Sequence, residues 1–249
     1  MRAADRILSV LDAFDPGRPK LTMQEISERI ELSKATTFRL VNSLVDAGYL
    51  VRLEDQRYCL SMKLVKLAGI VASGLSVRDI AHPKMVEIAA QTGETISLNT
   101  AVGSDRVCVD VVESSSRMMH IVTLGEHAPL LYGATGKVLL AHLPDEIQAS
   151  IVKSLPRSAS TTQLELKSEL KEIRASGYAL TLSERVQGSL AISVAIYDIN
   201  DRGQFALTIT GPESRMKGHK DEYLALMLQA QRDISSKMGS GRFSVVQAK

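Results

Sequence analysis

The chain has no tryptophan, and aromatic residues make up only 4 % of it. A platform on which unpaired bases stack needs several exposed rings, so single-stranded nucleic acid is a poor partner for this composition. Cysteine is almost missing too. Cys59 and Cys108 lie in strand-like runs far apart in sequence, which fits buried free thiols and not a disulfide framework. The amino terminus lacks an apolar signal core and no apolar run approaches the length of a membrane span, so a cytoplasmic protein without membrane contact is expected. A dominant charge is also missing. The net is +2, and residues 1–60 carry nine Lys and Arg against nine Asp and Glu, so any grip on phosphates has to come from individual placement and from doubling by a second subunit. Finally, His82, His120, His127, His142 and His219 are scattered, with no H-E-x-x-H, C-x-x-C or G-x-S-x-G around them. No catalytic residue, metal or cofactor is expected from that pattern.

What the chain does have is length and apolar content for two domains: 249 residues, 45 % hydrophobic. The stretch Thr22–Leu60 reads as a short helix, a tight turn, a second helix and a two-stranded hairpin. Thr22-x-x-Glu25 has the form of a capping box, with Ile26 and Ile30 one turn apart on the buried side. Ser33 caps the second helix. Rotation gathers Thr37, Phe38, Leu40, Val41, Leu44 and Val45 on one arc, and Ala35, Thr36, Arg39, Asn42, Ser43 and Asp46 on the other. Small residues on that outer arc permit close approach to a major groove, and Lys34 and Arg39 can grip phosphates or guanine edges. Gly48 ends the helix as a C′ glycine. Tyr49–Leu53 and Arg57–Leu60 are the wing strands around Glu54-Asp55-Gln56, with Arg52 and Arg57 available to phosphates. The order is that of a winged helix-turn-helix.

Ile26-Ser27, Leu32-Ser33-Lys34-Ala35-Thr36, Arg39-Leu40, Leu44, Gly48-Tyr49-Leu50 and Arg57-Tyr58-Cys59-Leu60 together resemble the amino-terminal domain of the IclR family of bacterial transcription regulators. The DNA-contacting set that the module and the resemblance imply is Ser33, Lys34, Ala35, Thr36, Arg39, Ser43 and Arg57.

An opening helix over 2–14 places Ala4, Ile7, Leu8, Leu11 and Phe14 on one stripe. Met62 to about Ser73 reads as a connecting helix, or equally as one that packs on the first domain. Beyond it comes a helix over Ser76–Thr92, with Pro83 as a kink point and Gly93 as its cap. Strands are expected at Thr95–Ala101, Val107–Val112 and Met118–Leu124, and helices at Gly136–His142, Asp145–Leu155 and Leu164–Ser176. Strands return at Tyr178–Leu182, Leu190–Tyr197 and Gln204–Thr210, before a last helix over Lys220–Met238 and a loose tail from Gly239. The fold class is α+β, an antiparallel sheet carrying helices. The domains divide as 1–61, a linker helix over 62–75, and 76–249.

Gly93-Glu94-Thr95, Leu124-Gly125 with Pro129-Leu130, Ala134 to Ala141, Ser176-Gly177-Tyr178, Gly188 to Ser193 and Thr208 to Pro212 resemble the IclR effector-binding domain in order and spacing. The resemblance implies a GAF/PAS-like sensor. Independently, Gly133-Ala134-Thr135-Gly136-Lys137 leads into a helix whose free N–H groups suit an anion. It is not a nucleotide loop, because Leu131 stands where a first glycine is needed and Val138 replaces Ser or Thr. On neighbouring strands Thr208 and Thr210 share a side, as do Ala191, Ser193 and Ala195. A solvated polar face is the alternative to a pocket there. The resemblance favours the pocket and implies an effector site of Ala134, Thr135, Thr181, Ala191, Thr208 and Thr210, with Ser193 on the same face and Met118 and His120 as further candidates. Tyr132-Gly133 departs from the usual His-Ala, Ala191 stands where some members have Cys, and the paired hydroxyls come from Thr instead of Ser, which implies a ligand class other than the smallest oxoacids; Tyr132 and His120 suit a hydroxylated or aromatic acid. The expected protein is a regulator that binds double-stranded operator DNA under control of a small carboxylate, as a homodimer or a tetramer built as a dimer of dimers. The rival readings are a small-acid-processing enzyme fused to a winged helix and a ligand-free adaptor.

Overall fold

The computed structural model describes residues 3–15, 17–67, 76–114, 122–156, 158–159 and 161–243. The chain forms two compact units, Met1–Leu75 and Ser76–Lys249.

The first unit opens with α1 (Ala3–Asp12), followed by β1 (Lys20–Leu21), α2 (Met23–Arg29), α3 (Lys34–Asp46), β2 (Leu50–Arg52) and β3 (Tyr58–Leu60). Its core is Val10, Ala13, Leu21, Ile26, Val41, Leu44, Leu50 and Tyr58. The α1 stripe is rotated from the expected one: Val10 is fully buried, whereas Leu8 is 57 % exposed. The capping box of α2 forms as expected, Glu25 N–H donating to Thr22 Oγ1 and Thr22 N–H to Glu25 Oε2 at 2.7 Å. The turn into α3 places Glu31 at φ 54°, and buried Ser27 donates from Oγ to the Leu32 carbonyl at 2.7 Å across it. At the end of α3 the Gly48 N–H reaches the Val45 carbonyl and the Tyr49 N–H reaches Leu44. With Gly48 at φ 76° this is a Schellman closure. The wing has one more strand than its hairpin pattern shows, since β1 pairs β3 on the side away from β2. Helical geometry resumes at 62–67, and the rest of the expected connecting segment, including Gly69 and Gly74, lies outside the described residues.

The second unit is an antiparallel six-stranded sheet in the order β6-β5-β4-β9-β8-β7. Its strands are β4 (Thr95–Val102), β5 (Asp105–Val112), β6 (His127–Pro129), β7 (Tyr178–Leu182), β8 (Ser189–Tyr197) and β9 (Gly203–Pro212). Both faces are covered. On one, α4 (Val77–Thr92) and the carboxy-terminal helix pack on Ile96, Leu98, Ile192, Val194, Leu207 and Ile209. On the other, α5 (Gly133–His142), α6 (Asp145–Lys153) and α7 (Gln163–Ser176) pack on Ala179, Ala195, Tyr197 and Ala206. The carboxy-terminal helix, α8, spans Lys220–Lys237. Strand alternation therefore divides large aliphatic residues on the first face from small and hydroxyl-bearing ones on the second.

Several expectations change. Residues 122–124 of the expected strand Met118–Leu124 are not a strand, and the edge position is taken by β6; residues 118–121 lie outside the described residues. Helix α4, by contrast, keeps nearly the expected span and includes Pro83 within its length. The tail is anchored as far as Phe243: Ser240 Oγ donates to Asp201 Oδ1 at 2.6 Å, and the Phe243 ring lies 5.9 Å from that of Tyr197.

Candidate functional site

On the first unit the surface of interest is the outer side of α3. Ser33 Oγ accepts from the Thr36 N–H at 3.3 Å, which closes the helix start. Lys34, Ala35, Arg39 and Ser43 are exposed, and Thr36 is half-buried with its hydroxyl 3.0 Å from that of Ser33. The Ser43 hydroxyl donates back to the Arg39 carbonyl. Lys34 and Arg39 have no carboxylate partner among the described residues, so both charges are free to meet phosphate or a base edge. Arg57 differs. It is held by Asp55 Oδ2 through Nη2 at 2.6 Å and Nε at 2.9 Å, and this pairing raises its pKa while lowering that of Asp55. Phe38 leaves the apolar arc assigned to it and is 55 % exposed.

On the second unit a cavity of about 40 Å³ lies between the start of α5 and the small-residue face of the sheet. Of the residues suggested by sequence, Ala134, Thr135, Thr181, Ala191 and Thr210 line it. Ser193 and Thr208 do not: they sit behind Thr135 in a buried hydroxyl chain, Thr135 to Thr208 at 2.9 Å and Thr208 to Ser193 at 2.8 Å. Met118 and His120 lie outside the described residues. The Ala134 N–H, expected to face an effector, already donates to Thr181 Oγ1 at 3.1 Å. The helix start is thus tied to β7 and β9 by side-chain hydroxyls.

Sequence reasoning missed the charged lining. Arg106 and Arg185 both face the cavity, along with Ser97 and Ser189. Arg106 is 4 % exposed; it donates to Asn99 Oδ1 at 2.7 Å and, at 3.3 Å, to Glu126 Oε1, which also accepts from Arg185 at 2.6 Å. Burial, reinforced by the Arg185 charge, pulls the Arg106 guanidinium below its ordinary value against the attraction of Glu126. Burial pushes Glu126 up, but the hydrogen bond and charge of Arg185 outweigh it and leave this carboxyl lowered. Two guanidiniums share one carboxylate, and an added anion would improve that balance.

The backbone explains how Arg106 reaches the cavity. The β4–β5 register shifts between Leu98 and Asn99. Asn99 then pairs Cys108 and Ala101 pairs Arg106 on the cavity side, while Leu98 pairs Asp110 on the α4 side. There Asp110 meets His82 Nδ1 at 2.7 Å and Arg78 at 3.4 Å. Burial pushes the Cys108 thiol up, which keeps it an inert packing group.

Close approach sets the floor of the site. A Cβ on Gly136 would stand 2.6 Å from the Leu130 carbonyl oxygen, so only glycine lets α5 lie this near the preceding loop. At the far end Glu94, 1 % exposed, accepts two bonds from Arg215 at 2.8 and 2.6 Å. A Cβ on Gly211 would collide with that carboxylate. Among the described residues no cluster of His, Cys, Asp and Glu is suited to a metal ion, and no helix is long and apolar enough to cross a membrane.

A capped helix pair with a polar reading face in one unit and, in the other, a helix-covered sheet with a cavity lined by two arginines define a DNA-binding regulator with a small-molecule sensor domain. Residues 3–54 match the IclR helix-turn-helix domain, and residues 70–236 match the bacterial transcriptional regulator IclR C-terminal domain. The chain belongs to the IclR family of transcriptional regulators. It is 31 % identical over 233 residues to the HTH-type transcriptional regulator Rv1719 of Mycobacterium tuberculosis, covering 91 % of this chain and 87 % of that one. Among solved structures it resembles the IclR of Thermotoga maritima, with 28 % identity, a TM-score of 0.61 and coverage of 95 % and 98 %. An IclR homologue from Microbacterium hydrocarbonoxydans, complexed with 4-hydroxybenzoate, shares the fold at 22 % identity and a TM-score of 0.59, covering 94 % of this chain and 98 % of that one. The matched relatives are named as transcriptional regulators.

Proposed function

We propose that the effector is a small organic acid whose carboxylate sits between Arg106 and Arg185, with Thr181, Ala191 and Thr210 lining the seat and the first turn of α5 closing it. The observation that carries this reading is the lining itself: the charged groups facing the cavity are both guanidiniums, set among hydroxyls at a helix start. The enclosed volume of about 40 Å³ holds about three water-sized spheres. A carboxylate head fits, and the body of the acid emerges past Tyr132. Complexation of a homologue with 4-hydroxybenzoate supports a hydroxylated aromatic acid as the first compound to try. In this reading the bound acid is sensed and released unchanged, as the naming of the matched relatives as transcriptional regulators supports.

Operator DNA is held by Ser33, Lys34, Ala35, Thr36, Arg39 and Ser43, with Arg57 contributing only where a phosphate displaces Asp55. One winged helix covers one half-site, so the working form is a cytoplasmic homodimer or a pair of dimers. Effector binding shifts the population toward one of two arrangements with different operator affinity. Calorimetry with a panel of benzoates and short oxoacids tests the pocket. One acid should bind the wild type and fail to bind Arg106→Leu and Arg185→Leu. Equal binding to all three chains, or no acid bound by any, defeats the proposal. Arg39→Ala should weaken operator binding by about 1–3 kcal/mol if Arg39 reads a base.

A further inference from the structure

The chain holds ten aromatic residues, four Phe and six Tyr. Each lies within the described residues, and nine are buried or half-buried; Phe38 alone is classed as exposed. A ring left in water forfeits the stabilisation that burial gives, and among the described residues more than half of this one stays uncovered. Its position is informative. Phe38 stands on α3 three and four residues after Ala35 and Lys34, four before Asn42, and beside Arg39, with buried Val41 on its inner side, so it borders the outer face of the helix from the edge of the core. Exposed Lys34 and Arg39, without carboxylate partners among the described residues, make a polyanion the complementary cover for this patch. In a major groove the apolar group within reach of a helix is the C5-methyl of thymine.

We propose that Phe38 is a specificity-determining residue of the operator complex, its ring resting against a thymine methyl. This inference rests on α3 being the DNA-reading helix and adds a base identity to that reading. The test uses the full chain and a duplex it enriches from a random library, with thymines replaced one at a time by deoxyuridine, which lacks the methyl. Affinity is read by fluorescence anisotropy at one fixed salt concentration. At one thymine per half-site, uracil should weaken wild-type binding about four-fold, the worth of one methyl-sized apolar contact. Phe38→Ala, shown to be folded by its unchanged melting temperature, should bind thymine duplex as weakly as the wild type binds the uracil one. It should also be indifferent to the replacement. The proposal is overturned if no thymine position is methyl-sensitive in the wild type, or if Phe38→Ala stays equally sensitive. It is overturned as well if Phe38→Ala changes the oligomeric state while leaving the thymine response intact. A wild-type chain that enriches no duplex at all sinks the DNA-reading role of α3 itself, an outcome distinct from these.

Discussion

Replacing Gly136 by alanine sets two effects of opposite sign against each other. Alanine in a helix interior is worth about 1 kcal/mol over glycine, which by itself would raise stability. The new methyl, however, would stand 2.6, 2.9 and 3.0 Å from the oxygen, carbonyl carbon and Cα of Leu130. These are backbone atoms and cannot rotate aside. Leu130 is fully buried, and its N–H is tied to the Ser104 carbonyl at 3.0 Å. Overpacking of this kind costs roughly 1–3 kcal/mol, and the rigid neighbour places the case at the upper end. The net expectation is a loss of about 1–2 kcal/mol, or a melting temperature lower by about 2–8 °C. The same displacement moves Ala134 and Thr135 off Thr181 and Thr208, so effector affinity should fall as well. Gly218→Ala is the control, because nothing lies within 4 Å of its added carbon; it should leave melting unchanged or slightly raised. A Gly136→Ala protein that melts at or above the wild type refutes the close-approach argument.

Further tests address the supports of each unit. Glu94→Gln removes the buried partner of Arg215, and since the Arg215 side chain is 37 % exposed and water shares the loss, a cost of about 1–3 kcal/mol is expected in urea unfolding. Burial, helped by the nearby Arg174 and Arg242 charges and opposed by the Val138 carbonyl, holds the His142 imidazole below its ordinary 6.5. The folded form therefore prefers it neutral, with stability full above pH 6.5 and lost as pH falls through the lowered value. In His142→Phe the urea midpoint should decline less between pH 7 and 5 than in the wild type; parallel declines would exclude His142 as the cause. Ser27→Ala opens the turn between α2 and α3 and should cost about 1 kcal/mol, together with operator affinity measured at constant salt.

The elements were legible where local chemistry and hydrophobic period agreed. Thr22 and Glu25, Ser33, Gly48 and Gly93 each mark an end that the structure places where the residue type demands. Alternation along β8 and β9 separated Ala191, Ser193 and Thr208 from their aliphatic neighbours correctly, because the period-two pattern is a property of the strand alone. What stayed hidden depends on distant partners. Strand β1 is two residues long and exists only because β3 pairs with it. Arg106 was lost through a strand start set at Val107 where β5 begins at Asp105, although an arginine two residues from a buried cysteine on an alternating strand was a readable sign. The register shift that sends Asp110 to the opposite face has no marker in the sequence. Phe38 lies on the flank of the apolar arc, where helical angle alone does not decide between core and solvent.

The strand order carries a consequence for biogenesis. β4 emerges early from the ribosome, yet its inner neighbour β9 is made more than a hundred residues later, so the sheet cannot close until almost all of the second unit has been synthesised. Arg106 and Ser97 come from the early half and Thr181, Ala191 and Thr210 from the late half. A prematurely terminated chain would thus lack β9 and with it the late half of the cavity lining, whatever becomes of its first unit.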